Sequence, residues 1–122
     1  MIELIPDLPD NVVGFTAKGE VTADDYELVL IPTVETKLKE HNKIRLLYHL
    51  GPDFTGYSTG AMWDDTKVGL HHITAWEKIA VVSDVDWIRG ATKFFGFAMP
   101  GHVKVFSNNQ LSDPAMKWWT LG

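Results

Sequence analysis

Apolar and polar positions along the chain switch between the alternation typical of strands and the three-to-four-residue spacing typical of helices. Stretches that are rich in apolar and β-branched residues and bounded by turn residues predict β-strands. The five predicted strands cover 2–5, 11–21, 43–50, 77–84 and 102–107. Four predicted helices follow the second to the fifth strand, at 22–41, 58–73, 85–98 and 109–122.

The first predicted helix has a clear start and a clear buried face. Thr22 is a typical N-cap residue, and the acidic Asp24 and Asp25 suit the positive end of the helix dipole. Apolar residues then recur every four positions, at Tyr26, Leu30, Val34 and Leu38. Pro32 lies inside this pattern, and we expect it to kink the helix because it has no backbone N–H.

The order of the predicted elements, β-β-α-β-α-β-α-β-α, indicates a single α/β domain spanning residues 1–122. Strands that alternate with helices run parallel and are joined by right-handed crossovers. The first two strands are close enough in sequence to pair as a hairpin. We therefore expect a mixed, mostly parallel five-stranded sheet with four helices, in which the N-terminal strand is the antiparallel edge.

Composition narrows the class of function. Of the 122 residues, 45% are hydrophobic and 22% are charged, as in ordinary globular domains. A formal charge of −5 without a cluster of lysine and arginine argues against nucleic acid as a partner. The sequence contains no cysteine, which excludes disulfides and thiolate chemistry. Because no signal peptide or transmembrane segment is predicted either, we expect a cytoplasmic protein.

The predicted helix at 85–98 carries more aromatic residues than one buried face needs. The residues assigned to a core stripe facing the sheet are Trp87, Ile88, Ala91, Phe94, Phe95 and Ala98. Phe97 and Met99 lie outside that stripe. In the predicted helix at 109–122, one narrow stripe likewise does not bury both of the adjacent Trp118 and Trp119. Such a surplus indicates a wide core, a homodimer contact, or a cleft for a ligand or a membrane.

The stretch GPDFTGY at 51–57 is predicted to be a loop because of its glycines and its proline. Its Phe54 and Tyr57 would form the rim of a cleft that opens when the helices move away from the sheet. Trp63, in the helix that follows, is grouped with these two residues as part of a ligand- or partner-binding site.

Candidate catalytic and metal-binding groups are few in the sequence. His49 lies at the end of a predicted strand, where α/β folds place their ligands, and would serve as a general base near Asp53 or Tyr57. His71 and His72 are adjacent, so on a helix they point about 100° apart and do not converge on a metal ion. No phosphate-binding loop or dinucleotide fingerprint is present, and we predict no metal and no cofactor.

Two segments of the chain carry a resemblance to a known family. They are NVVGFTAKGEVTADDYE at 11–27 and LLYHLGPDFTGYSTGAMWDD at 46–65. Together with the order of the elements, they make the whole chain resemble the STAS domains, and within these the SpoIIAA-like set of small bacterial proteins. This resemblance implies a fold that is shared with the CRAL-TRIO lipid-transfer domains.

The resemblance also implies a modification site. In phospho-regulated STAS proteins, the second helix begins at an Asp-Ser-Ser/Thr-Gly motif whose serine is phosphorylated by a partner kinase. The matching residues here are Tyr57, Ser58, Thr59 and Gly60, so that a tyrosine stands in place of the aspartate. The resemblance therefore points to Ser58 as the phosphorylation site, whereas the residues themselves favour an N-cap hydroxyl at Ser58 or Thr59.

The sequence thus predicts a non-enzymatic STAS-like domain that binds an apolar small molecule or lipid, the surface of a membrane, or a protein partner. The residues assigned to ligand or partner binding are Phe54, Tyr57, Trp63, Phe97, Met99 and Trp118. One alternative is a phospho-regulated interaction switch of the anti-sigma factor antagonist type. The other is an enzyme with a site centred on His49.

Overall fold

The computed structural model of the chain describes residues 1–61, Trp63, Lys67, 75–98 and 102–110, the side chains of Phe95 and Ala98 excepted. Five strands form one sheet: β1 (Ile2–Leu4), β2 (Val12–Val21), β3 (Ile44–Tyr57), β4 (Trp76–Val82) and β5 (His102–Phe106). They lie in the order β1-β2-β3-β4-β5, with β1 antiparallel to β2 and every other neighbouring pair parallel. The predicted mixed α/β fold with an antiparallel N-terminal edge strand is confirmed.

The segment between β2 and β3 is helical over residues 23–40. A π-helical turn (Tyr26–Leu30) joins α1 (Ala23–Asp25) to α2 (Ile31–Glu40). At the start of this segment the Thr22 N–H donates a hydrogen bond of 2.8 Å to Asp25 Oδ2. Because this bond satisfies a backbone donor that the helix leaves free, the predicted helix start at Thr22 is confirmed.

The predicted buried stripe of this helical segment is also present. Tyr26, Leu30 and Val34 are at most 4% exposed, and the fourth predicted member, Leu38, is half-buried against the core. The π-helical turn ends shortly before Pro32, whose missing N–H interrupts the α-helical hydrogen-bond pattern. Where a kink was predicted at Pro32, the structure shows a local change of helix type from a π-helical turn to an α-helix.

Helical structure after β3 includes residues 59–61, Trp63 and Lys67. Helix α3 (Asp86–Ala98) lies between β4 and β5, and a short 3₁₀ turn (Asn108–Gln110) follows β5. The rest of the helices predicted at 58–73 and 109–122 lies outside the described residues, together with His71 and His72. Within the described ranges, no helix has the length and apolar character needed to cross a membrane.

Strand β3 is longer than the sequence analysis predicted. The stretch 51–57, expected to be a loop, continues the strand and stays paired with β2 as far as Val21 and Tyr57. The register of this pair shifts around Gly19, and both Gly19 and Gly56 have a positive φ, of 59° and 152°. The loop prediction was wrong because these glycines mark irregularities inside a strand pair and not the end of a strand.

The two faces of the sheet are buried to different extents. The helical residues Tyr26 and Ile88 pack on one face, in the main core cluster that also contains Tyr48. The opposite face carries a small cluster made of Leu47, Ala80 and Val82, with Ile5 and Phe106 packed against it. Because side chains alternate along a strand, His49 lies on the same face as Leu47 and opposite to Tyr48.

Helix α3 contacts the sheet through only part of the predicted core stripe. The side chains of two members, Phe95 and Ala98, lie outside the described residues. Ile88 is 5% exposed, and Gly96 lies so close to β5 that an added Cβ would come within 3.3 Å of the Val103 Cβ. In contrast, Trp87 and Phe94, which the sequence analysis assigned to the core stripe, are 50% and 79% exposed. The prediction is thus confirmed for Ile88 and wrong for Trp87 and Phe94, because apolar residues lie on both sides of this helix and their spacing does not distinguish the side that meets the sheet.

Candidate functional site

Three tyrosine hydroxyl groups meet on the main core face of the sheet, beside the carboxyl-terminal part of β3. The hydroxyl oxygens of Tyr26 and Tyr48 lie 3.0 Å apart, and the Tyr57 hydroxyl donates to that of Tyr48 over 3.2 Å. Tyr26 and Tyr48 are buried, whereas Tyr57 is half-buried. Since a buried polar group is costly unless it is hydrogen-bonded, this arrangement lets three polar rings pack in the core.

Ring contacts extend this tyrosine cluster (Tyr26, Tyr48 and Tyr57) to the surface. Tyr57 meets Phe54 edge-on at a centroid distance of 5.2 Å, and it meets Trp87 at 6.0 Å. Phe54 is 9% exposed and Tyr57 is half-buried, whereas the outer ring, Trp87, is 50% exposed. The structure thus brings together Phe54 and Tyr57, two of the predicted binding residues. It adds Trp87, which was not among the predicted binding residues although its position, at a helix start directly after a strand, was a usable signal.

Ser58 caps the helical residues that begin at Thr59. The Ser58 N–H donates to the Val21 carbonyl over 2.8 Å, and the Ser58 hydroxyl accepts the Ala61 N–H over 3.1 Å. This geometry is that of an N-cap, which was the interpretation favoured by the residues themselves. Phosphorylation of the same hydroxyl stays a prediction.

The outer side of α3 carries an exposed apolar surface, which we call the α3 face. Its successive residues are one or three positions apart, which places them on one side of the helix, and all of them are exposed. They are Trp87, Gly90, Ala91, Phe94 and Phe97. Ala91 is thus a third residue wrongly assigned to the core stripe. The most exposed member is Phe97, at 93%.

Charged residues border one side of the α3 face. Asp86 and Lys93 are both exposed and are seven residues apart, so they lie two turns apart on the same flank of the helix.

Among the remaining predicted binding residues, Trp63 is 65% exposed. Met99 and Trp118 lie outside the described residues.

A shallow groove of about 440 Å³ runs between α3 and β5, beside the α3 face. Its lining consists of Lys93, Gly96, Phe97, Val103, Lys104 and Val105. The ring of Phe97 therefore stands next to an apolar depression. Among the strands of the described ranges, none pairs with the outer edge of β5.

His49 is separated from the tyrosine cluster by the sheet itself. Its ring covers Gly51, where an added Cβ would lie 3.0 Å from His49 Cε1. Burial lowers the pKa of His49 below its ordinary value, because the charged imidazolium is less well solvated there. The hydroxyl of Tyr57 bonds to Tyr48 on the opposite face, so this geometry does not support a catalytic pair of His49 and Tyr57.

A second group of ionisable side chains lies near the end of α2. Asp10, Glu40 and His41 place one potential ligand atom each within 4.8 Å of one another. Asp10 is 80% exposed and already lies 3.4 Å from Lys37 Nζ and 3.6 Å from His41 Nε2. Because Lys37 supplies a cation to the Asp10 carboxylate, that carboxylate belongs to a surface ion pair and has a cationic partner without a metal ion.

The fold and these surfaces together define a class of protein. An antiparallel first strand, four parallel strands in sequential order and a serine-capped helix after β3 are the features of a STAS-type α/β domain, a class that binds or interacts with other molecules. The chain belongs to the SpoIIAA-like family, because the sequence model of that family matches residues 12–119. The family predicted from the sequence is confirmed.

A solved structure supports the same assignment. The crystal structure of an uncharacterised protein of the DUF3478 family from Shewanella loihica PV-4, which has a SpoIIAA-like fold, superimposes with a TM-score of 0.76. The two sequences are 26% identical, and the match covers 98% of this chain and 92% of that one. No protein with a curated description matches the chain.

Proposed function

We propose that this SpoIIAA-like domain is a non-enzymatic binding domain, and that the α3 face is the surface with which it binds an apolar partner. The observation that carries this proposal is the exposure of Phe94 and Phe97, at 79% and 93%, on the same side of one helix as Trp87. Large apolar rings gain free energy when they leave water. Three of them on one helix favour a surface that is covered when the domain works.

The shape of this surface favours an extended partner over a small enclosed ligand. Sites for small molecules are concave and surround most of the ligand. The α3 face is the convex side of a helix, and the groove beside it is shallow. Aromatic rings and aliphatic carbons bind apolar surface but do not transfer protons, so the chemistry of this face suits binding and not catalysis.

The tyrosine cluster contacts the α3 face through Trp87. Trp87 rests against Tyr57 at 6.0 Å, and Tyr57 is hydrogen-bonded to Tyr48 in the core. This chain of contacts holds the first ring of the α3 face in place before a partner arrives. A preorganised surface binds more tightly, because fewer side chains lose their freedom on association.

Photo-cross-linking in the source cell tests the proposal without knowledge of the partner. The photoreactive amino acid p-benzoylphenylalanine is placed at position 97 in one variant and at position 28 in the control. Leu28 is 74% exposed on a different helical segment, so it matches Phe97 in exposure but not in surface. We expect covalent adducts from position 97 and none from position 28, with the attached molecule identified by mass spectrometry. Equal adduct formation at both positions, or none at position 97, would contradict the proposal.

A further inference from the structure

The residues of the α3 face form a pattern that is complementary to itself. Gly90 and Ala91 are the two small residues at its centre. Trp87 lies three residues before Gly90, and Phe94 lies three residues after Ala91. When two such helices cross in opposite directions at this centre, each Trp87 faces the Phe94 of the other copy, on both sides of the crossing.

We propose that the α3 face binds a second copy of this chain, as an antiparallel pair of α3 helices related by a two-fold axis between Gly90 and Ala91. The inference rests on the proposed function, because it names the partner of that same surface. Small residues at the crossing point let two helix axes approach closely, to about 8 Å. A two-fold interface uses the same patch on both copies, so self-complementarity is the property that it requires.

The charges beside the α3 face fit this orientation. Asp86 and Lys93 lie on one flank of the helix, two turns apart. Antiparallel helices that pack face to face bring identical flanks together, with the chain direction reversed. Asp86 of each copy therefore lies beside Lys93 of the other copy, which gives two symmetric ion pairs. A parallel arrangement would not produce these pairs, because it would set the two Asp86 side chains at one end and the two Lys93 side chains at the other.

The apolar area is sufficient for a dimer of modest affinity. An aromatic side chain offers about 150–250 Å², so the exposed parts of Trp87, Phe94 and Phe97 amount to roughly 450 Å² per copy. A specific interface of standard size buries about 800 Å² on each partner. The rings supply more than half of that area, and the groove beside Phe97 continues the same surface. We expect a dissociation constant of about 1–100 µM.

Sedimentation equilibrium of the purified full chain, from low micromolar to millimolar concentration, measures this association directly. We expect the wild-type protein to change reversibly from monomer to dimer. Phe94→Ser removes one ring from each half of the interface, so we expect a dissociation constant at least about 100-fold higher. Leu28→Ser, which replaces a ring-free exposed side chain on another surface, is the matched control and should dimerise like the wild type.

Reversal of the charges tests the antiparallel orientation. Asp86→Lys and Lys93→Asp each place like charges where the two flanks meet, and we expect each variant alone to associate about tenfold more weakly. A mixture of the two variants restores opposite charges across the interface, so we expect heterodimers with near wild-type affinity in native mass spectrometry. The mixture also shows that each variant is folded, since an unfolded chain would not form the heterodimer.

The outcomes separate this inference from the proposed function. A wild-type chain that stays monomeric at millimolar concentration, a dimer that survives Phe94→Ser, or a mixture that gives no heterodimer overturns the antiparallel pair. If the chain stays monomeric while position 97 cross-links to a different protein or to lipid, the dimer is wrong and the proposed binding face stands. If the chain stays monomeric and position 97 gives no adduct, both proposals fail.

Discussion

The tyrosine cluster and the α3 face are two groups of aromatic residues that are in contact but differ in their exposure to solvent. The tyrosine cluster lies mainly in the core: Tyr26 is fully buried, and its hydroxyl lies 3.0 Å from that of Tyr48. The α3 face is open, with Phe94 and Phe97 at 79% and 93% exposure. The polar hydroxyl is therefore found on the buried rings, whereas the most exposed rings have no polar group. The comparison teaches that hydrophobicity alone does not predict which aromatic rings of this domain are buried, because hydrogen-bonded tyrosines are buried whereas two phenylalanines of α3 are exposed.

This difference assigns different tasks to the two groups. The buried cluster joins the helical segment 23–40 to β3, so its contacts contribute to the free energy of unfolding. The α3 face contributes little to the folded monomer, because its rings are already in water. Trp87 belongs to both groups, since it contacts Tyr57 and is 50% exposed. Substitutions that separate folding from association are therefore the most direct test of the comparison.

The largest effect is expected from Tyr26→Ala. Tyr26 is 0% exposed, and removal of a fully buried aromatic ring costs about 3–5 kcal/mol through lost burial and the cavity that remains. Urea unfolding, followed by circular dichroism at a protein concentration below that of dimerisation, measures the change. In the same assay we expect Phe94→Ala to alter the free energy of unfolding by less than about 0.5 kcal/mol. Similar losses for both variants would contradict the division between the two groups.

A smaller effect is expected from Tyr48→Phe, which keeps the ring and removes one hydroxyl. That hydroxyl bonds to those of both Tyr26 and Tyr57. We expect the free energy of unfolding to fall by about 1–3 kcal/mol, because two hydrogen bonds in a buried region are lost together. Tyr57→Phe removes only the outer of these two bonds and is the control. A loss for Tyr57→Phe equal to or greater than that for Tyr48→Phe would show that Tyr48 is not the centre of the network.

Replacement of two glycines by alanine extends the comparison, because the free energy of unfolding is expected to fall in one case and to rise in the other. A methyl group at Gly60 would lie 2.9 Å from the Cβ of Ala23, whereas a methyl group at Gly90 meets nothing within 4 Å. Gly60→Ala should lower the free energy of unfolding by about 1–2 kcal/mol through overpacking. Gly90→Ala should raise it by about 0.5–1 kcal/mol, because alanine is the better helix former. Thermal unfolding of the monomer detects both shifts, and shifts of the same sign would refute the packing difference.

The sequence was sufficient to predict five strands and the antiparallel N-terminal edge of the sheet, because these follow from local periodicity and from the order of the elements along the chain. The family was predicted from the resemblance of two segments, together with that order. It was also sufficient for the buried stripe of Tyr26, Leu30 and Val34, since only one face of that helical segment is consistently apolar. For α3 the same method failed. Apolar residues lie on two sides of that helix, and the side that meets the sheet contains Gly96, whose missing side chain lets the helix approach Val103.

The candidate site was predictable only in part, for a related reason. Phe54 and Tyr57 were identified, but the strand that holds them was expected to be a loop, because Gly51, Pro52 and Gly56 are also typical of turns. The register shifts that accommodate these residues arise from the pairing of β3 with β2, which sequence spacing does not reveal. The hydroxyl contacts among the three tyrosines likewise depend on tertiary packing between elements.

The smallest predicted effect concerns His49, on the face of the sheet away from both aromatic groups. Burial lowers its pKa, so at pH values just below the ordinary value near 6.5 the unfolded chain takes up a proton more readily than the folded one. The contribution of His49 is therefore fully present above that value and is lost as the pH falls towards the folded-state pKa. We expect His49→Gln to weaken the fall in stability between about pH 7.5 and pH 5. His102→Gln, at an exposed position on β5, is the control, and an unchanged pH profile for His49→Gln would show that burial of the ring has no energetic consequence.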